Sequence, residues 1–246
     1  MIAEPWRLQK LWVQAFGDTP DVPEAFFATA FASDRFHCIL EDDVPVSALY
    51  WLDCTLQGQK IAYIYAAATD KVHRGKGLFR KLMNESHQIL VQQGYAGVVL
   101  VPCCRELFGL YEKFGYRTVT TVEEFTCGWG DVSVPFQEIT PDQYAALRKG
   151  YLPAGSVLQE GPTLAYLQTQ GEIYAGTDFL LAAAVMDGEL VAQELLGNVN
   201  AAPGILRTLN IPRGRFRTPG PGRAFAMFLP LQANCPVPSY FGLALD

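Results

Sequence analysis

The chain reads as an α/β protein in which helices flank a sheet, and three stretches carry that reading. Ile61 to Ala68 is an apolar, aromatic run of strand length, the pattern of a strand buried on both faces. A short polar loop follows and opens through Arg74-Gly75-Lys76-Gly77 into a helix-period segment, with Leu78, Leu82, Ile89 and Leu90 on one stripe beside Phe79 and Met83. Residues 96–101, Ala-Gly-Val-Val-Leu-Val, read as a second buried strand stopped by Pro102, and residues 106–114 as a second helix stopped by Gly115.

The elements before this stretch follow from their periods and breakers. Residues 5–16 place Leu8, Leu11, Trp12, Ala15 and Phe16 on one helical stripe, and Gly17-Asp18-Thr19-Pro20 ends it. A second helix covers residues 23–32, rich in Phe26, Phe27 and Phe31. Strands at 36–41 and 45–53 are joined by Glu41-Asp42-Asp43, and Gln57-Gly58-Gln59 turns into the strand at 60–68. The helix after the glycine loop runs to about Gln93, with Gly94 as its stop. A strand near 122–129 is expected to close this part of the chain.

Beyond residue 130 the signals are sparser. Thr140 before Pro141 reads as an N-cap with proline at the first helical position. Residues 178–186 and 189–197 form a hairpin around Asp187-Gly188. A helix at 202–210 and strands at 213–218, 223–231 and 239–245 follow, with Pro-Gly-Pro-Gly at 219–222 as a loop. Hairpin, helix and strands echo the first half. Residues 1–130 and 131–246 are therefore expected to be two units, with no Ser-rich or charged linker between them and hence tightly packed.

The 246 residues are half apolar, enough for real cores, and carry a net charge of −6, which argues against a nucleic-acid binder. Residues 71–81 nonetheless gather five Lys and Arg. The N-terminus has no apolar leader segment, and no apolar run reaches the roughly 18 residues of a membrane span. The six cysteines lack C-x-x-C spacing and there are three histidines, so no structural zinc site is expected. Reduced thiols in a cytoplasmic protein fit this usage. Ordinary packing at a strand end is preferred over redox chemistry for the adjacent Cys103 and Cys104.

A strand, a glycine loop and a helix start together make a site for a phosphorylated ligand. The helix start offers unpaired N–H groups and the positive end of its dipole. Glycines let the backbone approach the anion, and Arg74 and Lys76 add full charges. The triphosphate loop G-x-x-x-x-G-K-[ST] is absent, and the dinucleotide pattern G-x-G-x-x-G fails at Arg80. The segment instead resembles motif A of the GNAT acyltransferase superfamily, R/Q-x-x-G-x-G/A: Arg74 and Gly77 match, and Phe79 departs from the third position. Leu110-Tyr111-Glu112-Lys113-Phe114-Gly115-Tyr116 resembles the same family's motif B ending, in the right order and with a strand between. Cys104 stands where motif B often has Asn.

The resemblance covers about residues 5–128, and residues 131–246 are suspected to be a smaller, degenerate GNAT-like half. It implies a mixed, mostly antiparallel central sheet flanked by helices, and transfer of an acetyl group from acetyl-CoA to a primary amine of a small molecule or peptide, without a metal. The pantetheine arm of acetyl-CoA is expected along Ala66-Ala67-Ala68-Thr69. Its pyrophosphate is expected at Arg74, Gly75, Lys76, Gly77, Leu78 and Phe79. Tyr111 matches the tyrosine that protonates the departing thiolate, although a core aromatic on the helix face is its other reading. A non-catalytic acyl-CoA sensor is the alternative function, and a homodimer is compatible with the family.

The general base is not legible. Glu41, Asp42, Asp43 and Asp53 are candidates, Tyr65 is one through a relaying water, and the terminal carboxylate after Ser239 to Asp246 is another by analogy with two-lobed relatives. His37 and His87 read as structural or exposed. Phe26, Phe27, Tyr50 and Trp51 either line an acceptor pocket or fill the core, with the core preferred. The second half completes the sheet, walls the acceptor pocket or makes an oligomer contact.

Overall fold

A computed structural model describes residues 4–245 of the chain. Helices α1 (Pro5–Phe16) and α2 (Asp21–Thr29) precede three strands, β1 (Phe36–Glu41), β2 (Val44–Leu56) and β3 (Gln59–Thr69). Helix α3 (Leu78–Gln92) leads to β4 (Gly97–Leu100), helix α4 (Arg105–Glu112), β5 (Arg117–Thr118) and β6 (Thr121–Gly128). Next come β7 (Phe136–Glu138), α5 (Pro141–Tyr151), β8 (Leu158–Gln159), α6 (Pro162–Gln170) and β9 (Glu172–Gly176). The chain continues through β10 (Phe179–Met186), β11 (Glu189–Gly197), α7 (Ala202–Leu209), β12 (Arg213–Pro219), β13 (Arg223–Ala224) and β14 (Met227–Pro230).

These strands form two sheets. The first has the order β1-β2-β3-β4-β14-β5, with β8 on an open stretch of β2; the second has the order β13-β6-β12-β11-β10-β9-β7. The second repeats the first in plan. In each, three antiparallel strands lead through a helix to a strand parallel to the third: β1, β2, β3, α3, β4 in one and β9, β10, β11, α7, β12 in the other. Left-handed residues at Asp42-Asp43, Gln57-Gly58 and Asp187-Gly188 shape the tight hairpin turns, whose twist matches that of the strands.

Two strands cross between the halves. β6, expected to close the first half, instead pairs antiparallel with β12, from Arg213 opposite Gly128 to Pro219 opposite Val122. In exchange β14 inserts between β4 and β5, with Phe228 opposite Val99. The expected strand at 223–231 is thus two pieces, one in each sheet. The expected strand at 239–245 is not a strand: Tyr240 makes only an isolated bridge to Ser156. Tyr240, Phe241, Leu243, Ala244 and Leu245 are all buried, so this segment threads through the core instead of lying on a sheet edge, where alternate residues would face solvent. The terminal carboxylate of Asp246 lies outside the described residues.

The core has three parts. One packs α3 and α4 on the first sheet through Trp51, Ile64, Leu82, Met83, Leu90 and Tyr111. A larger one fills the space between the sheets, joining Trp12, Phe26 and Tyr50 to Tyr144, Tyr166 and Tyr240. The third packs α7 on the second sheet. Between the sheets sits Glu194, fully buried. Arg148 donates to it through Nε at 2.6 Å and through a terminal nitrogen at 2.8 Å, and the Tyr144 and Tyr240 hydroxyls donate at 2.9 and 3.0 Å. A buried carboxylate is tolerated only when its lone pairs are filled in this way. Helix α5, which carries Tyr144 and Arg148, starts with a capping box between Thr140 and Gln143. Among the described residues no helix is long and apolar enough to cross a membrane.

Strand exchange makes the halves interdependent. A chain ending at residue 130 leaves β6 without a partner sheet and the β4 edge open, so it is expected to lack a cooperative unfolding transition in urea. Two-state unfolding of that fragment, followed by circular dichroism, would show that the first half is self-sufficient.

Candidate active site

The site forms where β3 and β4 part. They pair in parallel from Ile61 opposite Gly97 to Tyr63 opposite Val99, and β3 then runs on to Thr69 with no partner on that side. On its other edge β3 carries a bulge: Tyr65 faces Tyr50 and Ala68 faces Ala48, so two residues, Ala66 and Ala67, oppose one. Ala66 is left-handed, with φ 48°, which costs an L-residue roughly 1–2 kcal/mol. The Ser47 hydroxyl fixes the strand beyond it, 3.0 Å from the Ala68 carbonyl and 2.8 Å from the Thr69 hydroxyl. Ala66 and Ala67 are half-buried and Ala68 is buried.

The glycine loop follows directly. Asp70 caps a short turn by accepting from the Val72 amide at 3.1 Å. Arg74 Nε donates to the Thr69 carbonyl at 3.1 Å, which ties the guanidinium to the end of β3. Gly75 and Gly77 have φ of 80° and 78°, and a Cβ on either would meet nothing within 4 Å. Conformation, not crowding, therefore calls for glycine there. Gly77 is the N-cap of α3 and supplies no side-chain cap, so the first-turn amides are presented to the outside. A cleft of about 240 Å³ lies at this point, lined by Thr69, His73, Arg74, Gly75, Gly77 and Phe79, with Leu110 and Phe114 of the α4 region opposite.

Most of the predicted loop residues converge here. Lys76 is exposed between the two glycines and does not line the cleft. The departure at Phe79 has a structural role: its ring packs on Tyr111 and Phe114, with centroids 6.1 and 5.9 Å away. Tyr111 thus stands behind the cleft wall, buried on α4. Burial pushes its hydroxyl up to about 12, and the Cys103 and Cys104 thiols add to the rise.

None of the carboxylates proposed as bases lines the cleft. Glu41 lies 3.3 Å from His73 Nε2, and Asp70 lies 3.6 Å from His73 Nδ1. Asp42 and Asp43 form the exposed β1–β2 turn. Asp53 accepts from Arg35 at 2.9 Å and from the Tyr95 hydroxyl. Phe26, Phe27 and Tyr50 pack together with Trp12 as core, whereas Trp51 faces the other side of the sheet and donates to Tyr95 at 3.0 Å. His87 is structural: it lies 2.8 Å from the Tyr116 hydroxyl, and burial lowers its pKa to about 4.

Sequence reading missed the neighbours of Tyr65. Its hydroxyl lies 3.3 Å from that of Tyr166 on α6, and burial holds it well above the usual tyrosine range, with Tyr166 adding to the rise. Leu245 donates its amide to the Tyr63 hydroxyl at 3.1 Å, and Phe241 packs on the Tyr63 ring at 4.9 Å. The second half therefore covers the face of β3 that carries Tyr63 and Tyr65. Gly161-Pro162 was the readable signal for the start of α6.

Residues 6–119 match a family model described as an acetyltransferase (GNAT) domain. This part of the chain is a GNAT domain. Solved structures extend the likeness of fold to nearly the whole chain. A GCN5-related N-acetyltransferase from Kribbella flavida superimposes with a TM-score of 0.68 at 15% identity, over 95% of this chain and 72% of that one. A GCN5-related N-acetyltransferase from Anabaena variabilis gives 0.70 at 15% identity, over 92% and 70%. Eis1 from Mycobacterium abscessus gives 0.67 at 12% identity, over 94% and 72%. No curated protein matches the chain significantly.

The bulge gives a test of its own. A β-branched residue is poorly tolerated at positive φ, so Ala66→Val is expected to lower stability by about 1–3 kcal/mol in urea unfolding, while Ala66→Gly retains it. Equal stability of all three proteins would remove the strain argument.

Proposed function

We propose that the protein moves an acetyl group from acetyl-CoA to a primary amine of a small molecule or peptide. The observation that carries this is the cleft at the unpaired end of β3, where an uncapped helix start, two left-handed glycines and Arg74 meet. In this reading the backbone of Ala66, Ala67, Ala68 and Thr69 pairs with the pantetheine arm. Arg74 and the loop Gly75, Lys76, Gly77, Leu78 and Phe79 hold the pyrophosphate, with Lys76 acting from the rim through its charge.

The residues fit such a ligand. Both glycines have open space, and the terminal nitrogens of Arg74 have no hydrogen-bond partner among the described residues. The amine attacks the thioester carbonyl, the tetrahedral intermediate collapses, and the C–S bond breaks. Tyr111 gives its hydroxyl proton to the departing sulfur, and the proton that the amine nitrogen loses as the amide forms returns through solvent to the phenolate. With its pKa near 12, the hydroxyl is fully loaded as a donor at neutral pH. The amine approaches from the face of Tyr65, so residues 131–246, as a second GNAT-like unit, wall the acceptor through Tyr166 and the buried 240–245 segment.

Tyr111→Phe is expected to lower kcat by about 10²–10⁴-fold and to leave the acetyl-CoA Kd, measured calorimetrically, unchanged. Unchanged turnover would remove Tyr111 from the chemistry and leave the sensor reading. Arg74→Glu is expected to weaken acetyl-CoA binding by about tenfold or more. Because the Tyr111 pKa is raised on folding, its proton and its contribution to stability are retained below about pH 10 and lost as pH rises through 12. The rate profile should therefore show no falling limb from this group below about pH 11.

A further inference from the structure

A second cleft, of about 390 Å³, lies away from the glycine loop where β2 has no strand beside it. The pairing of β1 with β2 stops at Phe36 opposite Tyr50, and β8 takes over only at Cys54. Between them the β2 edge opens against the N-terminus of α6. The floor is apolar, from Leu52, Cys54 and Leu158, and the rim carries Arg35, Lys60 and Asp53.

Three features there want an anion. The N-cap of α6, Gly161, gives no side-chain cap, and with proline at the first position the outward amides are those of Thr163 and Leu164. Thr163 is only 2% exposed and lines the cleft, yet its hydroxyl has no hydrogen-bond partner among the described residues. Arg35 Nε is buried and also has none. The nearby carboxylates each have a cationic partner already. Glu160 is tied to Lys149 at 2.6 Å. Asp53 serves two cations, Arg35 at 2.9 Å and Lys60 at 3.9 Å, and accepts from Tyr95, while the exposed Asp34 lies 4.0 Å from Arg35 Nε.

We infer that this cleft is a second binding site, for a small organic carboxylate. The carboxylate takes the α6 amides, the Thr163 hydroxyl and Arg35, and its apolar tail lies on Leu52 and Leu158. A bare inorganic anion leaves that floor uncovered. The site does not depend on acyl-CoA binding at Arg74. It sits one turn of α6 before Tyr166, so its occupant is joined by a single helix to the residue that meets Tyr65.

Calorimetric titration of the full chain with sodium benzoate tests this, with inorganic phosphate as the tail-less probe. Saturable benzoate binding is expected at millimolar concentration, tighter than that of phosphate. Thr163→Val, which keeps the shape and removes the hydroxyl, should weaken it about fivefold, and Arg35→Gln about tenfold or more. Arg74→Glu should leave it unchanged, which separates this site from the acyl-CoA cleft. No saturable binding, phosphate binding as tightly as benzoate, or undiminished benzoate binding in both Thr163→Val and Arg35→Gln would each overturn the assignment.

Discussion

The exchange of β6 and β14 is the constraint on which the rest of the molecule depends. Each sheet is completed by a strand from the other half, β14 lying beside β4 and β6 beside β12. An open β4 edge would be a row of unpaired backbone groups, costly to bury and prone to pairing with other chains. Filling it from the second half holds the sheets face to face. The enclosed space receives Trp12, Phe26 and Tyr50 from one side and Tyr144, Tyr166 and Tyr240 from the other. Fully burying a large apolar side chain contributes about 1.5–3 kcal/mol, so this shared layer couples the halves strongly.

The functional geometry follows from one departure within that frame. β3 and β4 stay together for only three paired positions and then separate. Because α3 connects them, its N-terminus necessarily lies at the point of separation, and the glycine loop is the shortest way to bring the chain there. The bulge at Ala66 turns the unpaired backbone outward. Backbone donors and acceptors, a helix dipole and Arg74 thus converge without any buried catalytic charge. Tyr111 reaches the same region from α4, with Phe79 and Tyr116 packed on its ring.

The parts of this arrangement legible in the sequence were those encoded locally. Periodicity and glycine spacing placed β3, the loop, α3, β4 and α4 to within a residue or two, and the loop residues other than Lys76 line one cleft. Pairing partners are not local. Nothing in Thr121–Gly128 distinguishes the edge of its own sheet from that of the other, because both offer the same antiparallel ladder. The segment after Ser239 has strand-like composition, but it is buried on all sides and threads through the core. Helix α6 was missed because its Thr and Tyr residues carry weak helix signal and its buried face is short. With it went Tyr166, the neighbour of Tyr65.

The second half has a counterpart of this slot, filled by side chains. β11 pairs with β12 only as far as Ala192 and carries its own bulge at Gln193, the counterpart of the bulge on β3. Beyond it stands Glu194, where the first half leaves backbone open. Arg148, Tyr144 and Tyr240 close over that carboxylate. The loop into α7 has no glycine pair or arginine; Asn198 accepts from the Asn200 amide and Pro203 is the second residue of the helix. Packing fills this slot. The same network gains a purpose in the whole molecule: Tyr240 anchors the chain that runs on through Phe241 to Leu245, and Leu245 bonds Tyr63 on β3. A filled slot in one half thereby fixes the wall of the open slot in the other.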